Sequence, residues 1–226
     1  MSDHATIQPP SVSVGDYVKA IWEVAGSGVA STKDVAERLS IAPPSVTNMF
    51  VRLREMGYVE YERYRGVSLT ERGREEALRL VRRHRLIETF LLEHLGYSWG
   101  ELHEEAERLE HAVSDEFTER LSEFLGHPGQ DPHGDPIPAA DGTMQPDHSF
   151  PLSEAAPGQR VCISKVGDKP STLDYLGEHG LVPGRLLRVR EVRDLDGVVI
   201  VEDEDGGFHA LGEPLARAVF VRAAAG

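Results

Sequence analysis

The stretch Ser31-Thr-Lys-Asp-Val-Ala-Glu-Arg-Leu-Ser-Ile-Ala-Pro-Pro-Ser-Val-Thr-Asn-Met-Phe-Val-Arg-Leu-Arg-Glu-Met-Gly57 reads as two short helices joined by a tight turn. The hydroxyl of Ser31 or Thr32 can accept the free N–H groups that begin a helix. Ser40-Ile-Ala forms the turn. Pro43 and Pro44 then open a second helix, where proline is tolerated because first-turn N–H groups lack helical acceptors. Gly57 ends it. Upstream, from Asp16, the residues Tyr17, Val18, Ala20, Ile21 and Val24 recur at helical spacing until Gly26-Ser-Gly28. Downstream, Tyr58–Leu69 alternates, is rich in strand formers and turns near Arg65-Gly66, which predicts a hairpin. Thr70 caps a long basic helix that reaches about Leu95. This order of elements is that of a winged helix-turn-helix.

In such a unit the second helix of the motif presents its N-terminal residues to DNA bases. Here these are Pro43, Pro44, Ser45, Thr47 and Asn48, with Val46, Phe50 and Leu53 on the opposite face. Asparagine can pair bidentately with adenine, serine and threonine bond bases or phosphates, and Pro44 suits a thymine methyl. Arg52 and Arg54 suit phosphates further along. Tyr64 and Arg65, at the wing tip, suit backbone or minor groove.

The rest of the chain divides at its composition shifts. Residues 1–15 read as a tail, 16–75 as the winged helix-turn-helix, 76–145 as a helical domain and 146–226 as a small β-barrel. An amphipathic helix is expected over roughly 99–125. Residues 126–151 are rich in Gly, Pro, Asp and His and read as a linker. Strands are expected at Arg160–Ile163, Arg185–Arg190, Val198–Val201 and Ala218–Val221, with a short helix from Leu173 to His179.

The net charge of −14 looks adverse for a DNA binder, but it is unevenly spread. Residues 17–85 hold 13 Lys/Arg against 9 Asp/Glu, whereas residues 86–135 hold 2 against 13. A basic segment can therefore meet phosphate while an acidic one does something else. One cysteine, Cys162, precludes an intrachain disulfide and suits a reducing cytoplasm; its strand-like surroundings suggest a buried structural thiol. No run of 18 apolar residues suggests a membrane span, and the N-terminus lacks the features of a secretory signal.

The acidic segment contains His103-Glu-Glu-Ala-Glu107-Arg-Leu-Glu110-His111. Helical geometry places Glu107, Glu110 and His111 on one face, with His103 one turn earlier. An apolar stripe, Leu102, Ala106, Leu109, Val113, Phe117 and Leu121, runs about a quarter-turn away. His84 and Glu88 are likewise one turn apart on the preceding helix. Carboxylates with imidazoles form a ligand set for manganese, ferrous iron or zinc. A solvated acidic face with incidental histidines fits the same spacing, and His84 among Arg82, Arg83 and Arg85 also suits a phosphate neighbour.

Several spaced motifs resemble the diphtheria-toxin-repressor family of metal-dependent repressors. They are Asp16-Tyr-Val-Lys-Ala-Ile-Trp, Val35-Ala-Glu-Arg-Leu with Pro44-Ser-Val-Thr, Leu69-Thr-Glu-Arg-Gly, His84-Arg-Leu-Ile-Glu88, His103…Glu107…Glu110-His111 and Gly134-Asp-Pro-Ile-Pro. The match is close over residues 14–138 and looser over the C-terminal part, which resembles the family's SH3-like, or FeoA-type, barrel. The resemblance implies a mainly α fold with small β parts: a winged helix, a helical dimerisation domain and that barrel. It also implies a homodimer that binds a palindromic double-stranded DNA operator and represses metal-homeostasis genes. Two metal sites per subunit are implied. The regulatory site would use Asp16, Glu107, Glu110 and His111. Iron-responsive members typically carry Met and Cys at the positions of Asp16 and Glu107, so two carboxylates favour Mn(II), with Fe(II) as the other candidate. Lys19 departs from the carboxylate some manganese sensors carry there, which argues against their closely paired manganese arrangement. The second site would use His84, Glu88 and His103. Asp131 and His133 join them by resemblance to a Cys-Pro-His-Gly element of manganese-type members. Lys169 and Thr172 occupy positions where iron-type members supply further ligands, leaving Asp168 or Asp174 to substitute. Metal would draw the first helix onto the Glu107–His111 helix and so fix the winged helix relative to the dimer core. Competing readings are a winged-helix regulator of a non-metal signal, a metal-dependent hydrolase and a protein-interaction adaptor; no HExxH motif, nucleophile elbow or P-loop supports an enzyme.

Overall fold

A computed structural model of the chain describes residues 12–193 and 195–224. They divide into two compact units: residues up to Arg82 with Ala140–Gly142, and Arg83–Ala139 with Thr143 onward.

The first unit is a winged helix. Helix α1 spans Val12–Ala25, α2 Thr32–Arg38 and α3 Pro43–Glu55. Strands β1 (Val59–Glu62) and β2 (Gly66–Leu69) pair antiparallel, with Val59 opposite Leu69. Helix α4 begins at Glu71. The Ser31 side chain caps α2 through the Asp34 N–H, and Pro43 opens α3, as the sequence predicts. Thr70 both accepts the Gly73 N–H and donates to the Gly57 carbonyl, tying the start of α4 to the end of α3. Val46, Phe50 and Leu53 are fully buried in one cluster with Val18, Ile21, Val35 and Val67, so the inner face of α3 is seated in the core. Two backbone bonds between Ala30 and Val67 add an antiparallel bridge on the other side of β2. Gly66 is required there: its φ is +104°, and a Cβ would lie 2.6 Å from Val29 Cγ1.

One boundary moves. Residues 12–15, read as tail, are the first turn of α1, and Val14 is buried in the core. The remainder of that tail, residues 1–11, lies outside the described residues.

The second unit contains α4 from Arg83 to Leu95, then α5 (Leu102–Glu110) and α6 (Asp115–Phe124). The single helix expected over 99–125 is therefore two. Ser114 is extended and caps α6 through the Phe117 N–H, which interrupts the run locally. The apolar stripe breaks with it: Leu102 and Ala106 are buried while Phe117 is exposed.

A six-stranded antiparallel sheet follows, in the order β3-β8-β4-β5-β6-β7. The strands are β3 (Phe150–Pro151), β4 (Arg160–Val166), β5 (Leu186–Arg193), β6 (Val198–Asp203), β7 (Phe208–Leu211) and β8 (Val219–Ala223). Helices α7 (Pro170–Glu178) and α8 (Glu213–Ala218) accompany it. Strands β3 and β7 and helix α8 are additions to the sequence reading. Cys162 is half-buried rather than in the core, because alternation along β4 gives Val161 and Ile163 the inner face. Trp99 packs against both the sheet core and the helical core, joining them within this unit.

Candidate metal centre

The centre is built on α4 and α5. His84 and Glu88, one turn apart, point from the buried face of α4, at 6% and 2% exposure. His84 Nε2 lies 2.9 Å from Glu88 Oε1 and 3.1 Å from His103 Nδ1. Its other nitrogen, Nδ1, is hydrogen-bonded to Glu110 Oε2 at 2.5 Å. Glu110 is entirely buried. Glu107 approaches from the next turn of α5, 3.7 Å from His103. His111, the C-cap of α5, lies 3.5 Å from Glu110 Oε1. Three sets of potential ligand atoms converge within 4.8 Å in this unit: His84/Glu88/His103, His84/Glu107/Glu110 and Glu88/Asp131/His133.

The segment read as a linker supplies the third set. Asp131 and His133 are buried, at 8% and 3% exposure. Asp131 Oδ1 accepts the N–H groups of His133 and Asp135, both at 2.9 Å, which curls the loop on itself. Its other oxygen faces Arg85 Nε at 3.3 Å. His133 Nδ1 is 4.0 Å from Glu88, and its ring meets Trp99 edge-on.

Electrostatics separates the carboxylates. Burial works to raise the pKa of Glu88, but the charge and hydrogen bonds of His84, with His103 and His133, outweigh it and hold the group well below its ordinary value. Asp131 goes the other way. Burial, aided by the charge on Glu88 and opposed by Arg85, pushes it up to about 8. Burial lowers the pKa of His133, favouring the neutral imidazole that can offer a lone pair.

These residues fit a divalent cation. The donors are oxygens and imidazole nitrogens, with no sulfur in any of the three sets. His133 Nε2 is a buried nitrogen with no hydrogen-bond partner, a costly condition that a bound cation would relieve. Among the described residues the converging sets include neither Asp168 nor Asp174. Asp174 instead lies against Gly100, where a Cβ would come within 3.0 Å of its carboxyl carbon. Asp16 is half-buried on α1 of the first unit.

His84 is buried and Arg83 and Arg85 beside it are internal struts, which corrects the reading of His84 as a phosphate neighbour. Arg83, 6% exposed, reaches Asp115 at 2.6 Å and the Glu110 carbonyl at 3.5 Å, bracing the break between α5 and α6. Arg85 bonds the Pro136 carbonyl at 2.6 Å.

In the winged helix, Pro43, Pro44, Ser45 and Asn48 are exposed, while Thr47 is half-buried and bonds the Pro43 carbonyl. Arg52 and Arg54 are exposed too. Tyr64, 92% exposed with φ +70°, projects from the wing beside Arg63, and Arg65 pairs with Glu62.

Residues 7–67 match the iron-dependent-repressor N-terminal DNA-binding domain, and 70–139 the iron-dependent-repressor metal-binding and dimerisation domain. Residues 150–223 match the FeoA domain. The iron-dependent repressor IdeR of Mycobacterium leprae is 31% identical over 199 residues, covering 82% of this chain and 86% of that protein. The chain belongs to the diphtheria-toxin-repressor family of metal-dependent regulators. Another family relative, the transcriptional regulator MntR of Lysinibacillus sphaericus, is 37% identical over 117 residues, 51% of this chain and 84% of that one. A solved structure described as a manganese-dependent transcriptional repressor in complex with manganese is 39% identical. It superposes with a TM-score of 0.87 over 93% of this chain and all of that one. This member of the diphtheria-toxin-repressor family is a metal-dependent, DNA-binding transcriptional repressor. Among the described residues no helix is long and apolar enough to cross a membrane.

Proposed function

We propose that the effector is Mn(II), and that two sites per subunit serve it. The observation carrying this reading is the sulfur-free chemistry of the converging sets, which suits a hard divalent ion. Glu107, Glu110 and His111 form the regulatory set, to which the family resemblance adds Asp16. His84, Glu88 and His103, with Asp131 and His133, form the second. When bound, the cation supplies positive charge that offsets carboxylate repulsion and favours the arrangement that binds it best. Glu110 fixes the end of α5, and Arg83 holds its carbonyl and α6 together. Fe(II) is the second reading, favoured by the 31% identity to IdeR, a relative named iron-dependent.

We infer further that two subunits meet through an aromatic patch on α4 and α6. Phe124, 64% exposed, meets Phe90 edge-on and His94 at a tilt, and Phe117 is 47% exposed. Such a patch marks a contact surface. A two-fold dimer would present two α3 helices to a palindromic operator upstream of metal-homeostasis genes. A cytoplasmic location and the absence of enzymatic activity follow from this reading.

The test is fluorescence anisotropy with DNA from upstream of metal-uptake genes, starting from chelator-treated protein. Mn(II) and anaerobic Fe(II) are titrated separately. Metal-dependent binding that is lost in Glu110→Gln and Asp16→Ala supports the sensor, and the metal acting at lower free concentration is the better effector. Tight binding indifferent to chelation overturns metal control.

A further inference from the structure

We propose that the FeoA-type sheet sets the affinity of the second metal site by clamping the loop that carries Asp131 and His133, with Lys165 and Gly134 as positioning residues. The inference rests on the reading that this loop contributes to a metal site.

The clamp begins with an irregularity in β4. Strand β5 pairs with only Arg160–Cys162 of β4, and the register with β8 shifts between Ile163 and Lys165. Ile163 still exchanges backbone bonds with Gly184 and Arg185, which lead into β5, so this edge of β4 is free of that neighbour only from Ser164 onward. The loop occupies it: the Val166 N–H donates to the His133 carbonyl at 2.9 Å. Such backbone pairing fixes the ligand-bearing residue at its main chain, so the His133 ring is held from behind.

Gly134 makes the approach close. Its φ is +90°, and a Cβ would lie 2.8 Å from Lys165 Cα and closer still to the Ser164 carbonyl. A backbone neighbour of this kind cannot swing aside as a side-chain tip can. Gln130 Nε2 bonds the Gly134 carbonyl at 2.8 Å, closing the loop on its other side.

Lys165 is the polar latch. Its ammonium lies 2.8 Å from Asp147 and 3.6 Å from Asp135, and 4.9 Å from the centre of the Phe220 ring. Asp135 in turn accepts the Asp131 N–H through its carbonyl. A cation on β4 thus bears on the residue whose backbone shapes the candidate ligand loop. Outer-shell groups that orient ligands typically account for about 10–100-fold in metal affinity.

Two variants of the full chain test this. Lys165→Met removes the charge and keeps the stem; Gly134→Ala adds the Cβ. Hydrogen exchange of metal-free protein reads the clamp directly through the Val166 amide, and the curl of the loop through the amide at position 134, which donates to the Asp131 carbonyl. Mn(II) titration calorimetry then reads the two sites, with His133→Ala and Glu107→Ala marking which is which. The expected result is faster exchange in both variants, with the His133-dependent affinity lowered about ten-fold and the Glu107-dependent affinity unchanged. Unchanged exchange overturns the clamp, and so does faster exchange with unaltered metal affinity. If wild-type protein shows no His133-dependent Mn(II) binding, the reading of the site itself fails; exchange and the Glu107-dependent event distinguish that case from failure of the clamp.

Discussion

Gly73 lies in the first turn of α4, where helix propensity alone predicts that alanine would stabilise by about 1 kcal/mol. The structure reverses that sign. A Cβ on Gly73 would lie 2.9 Å from the Tyr58 carbonyl carbon, and closer to its oxygen, against a comfortable carbon separation of about 3.5 Å or more. Either α4 or the start of the wing must move. The bonds at risk are Thr70 N–H to the Tyr58 carbonyl at 3.0 Å, Thr70 Oγ1 to the Gly57 carbonyl at 2.8 Å and Arg72 to the Met56 carbonyl at 2.9 Å. At about 1 kcal/mol each they outweigh the propensity gain, for a net loss of about 2 kcal/mol. In a unit of this size that lowers the melting temperature by roughly 10 °C. Calorimetry of Gly73→Ala measures it, with Gly177→Ala as the opposite control. Gly177 lies on the exposed face of α7 with nothing near its would-be Cβ, so there alanine should stabilise by about 0.5–1 kcal/mol. An unchanged or raised melting temperature for Gly73→Ala would refute the argument that this close approach holds the wing.

Other perturbations have equally definite outcomes. Asn48→Ala should cost about 1–3 kcal/mol at one operator base pair and relax specificity there, measurable by competition with singly substituted operators. Arg52→Ala should weaken binding to all sequences alike and reduce the salt slope by about one. Glu88→Gln should remove the His133-dependent metal-binding event in calorimetry, because this carboxylate is shared by two of the converging sets. The hydrogen bonds and charge of Lys165 and the N–H of Ser149 overcome burial and hold Asp147 well below the usual carboxylate range. Its contribution is therefore present above about pH 4, the unfolded value, and lost as pH falls through the depressed one. Asp147→Asn should flatten the acid limb of a denaturation profile; an unaltered limb would place the acid sensitivity elsewhere.

The winged helix was legible because each of its elements carries local punctuation: Ser31 and Thr70 as caps, Pro43 at a helix start, Gly57 and Gly66 at turns. The break between α5 and α6 was not, since a stripe from Leu102 to Leu121 continues in period across Ser114, even though Ser114-Asp-Glu is itself a helix-start signal. Strands β3 and β7 and helix α8 are too short for periodicity to separate from turns. At the metal centre, spacing brought out His84 with Glu88 and His103 with Glu107, as helical neighbours. Asp131 and His133 entered only through resemblance. Their burial depends on Arg85, Trp99 and β4, which lie far away in sequence. For the same reason Arg83 and Arg85 looked like surface charge: composition gives the sign of a side chain but not the face on which it lands.

His84 commits one ring nitrogen to Glu110 and the other to Glu88 and His103. A neutral imidazole has a single proton to divide between those sides, so what happens at one nitrogen constrains the other. For a lineage adapting its metal preference, positions 84 and 133 are thus unequal. A substitution at 133 alters one half of the centre, whereas at 84 every change is felt twice, and drift there should be correspondingly slow.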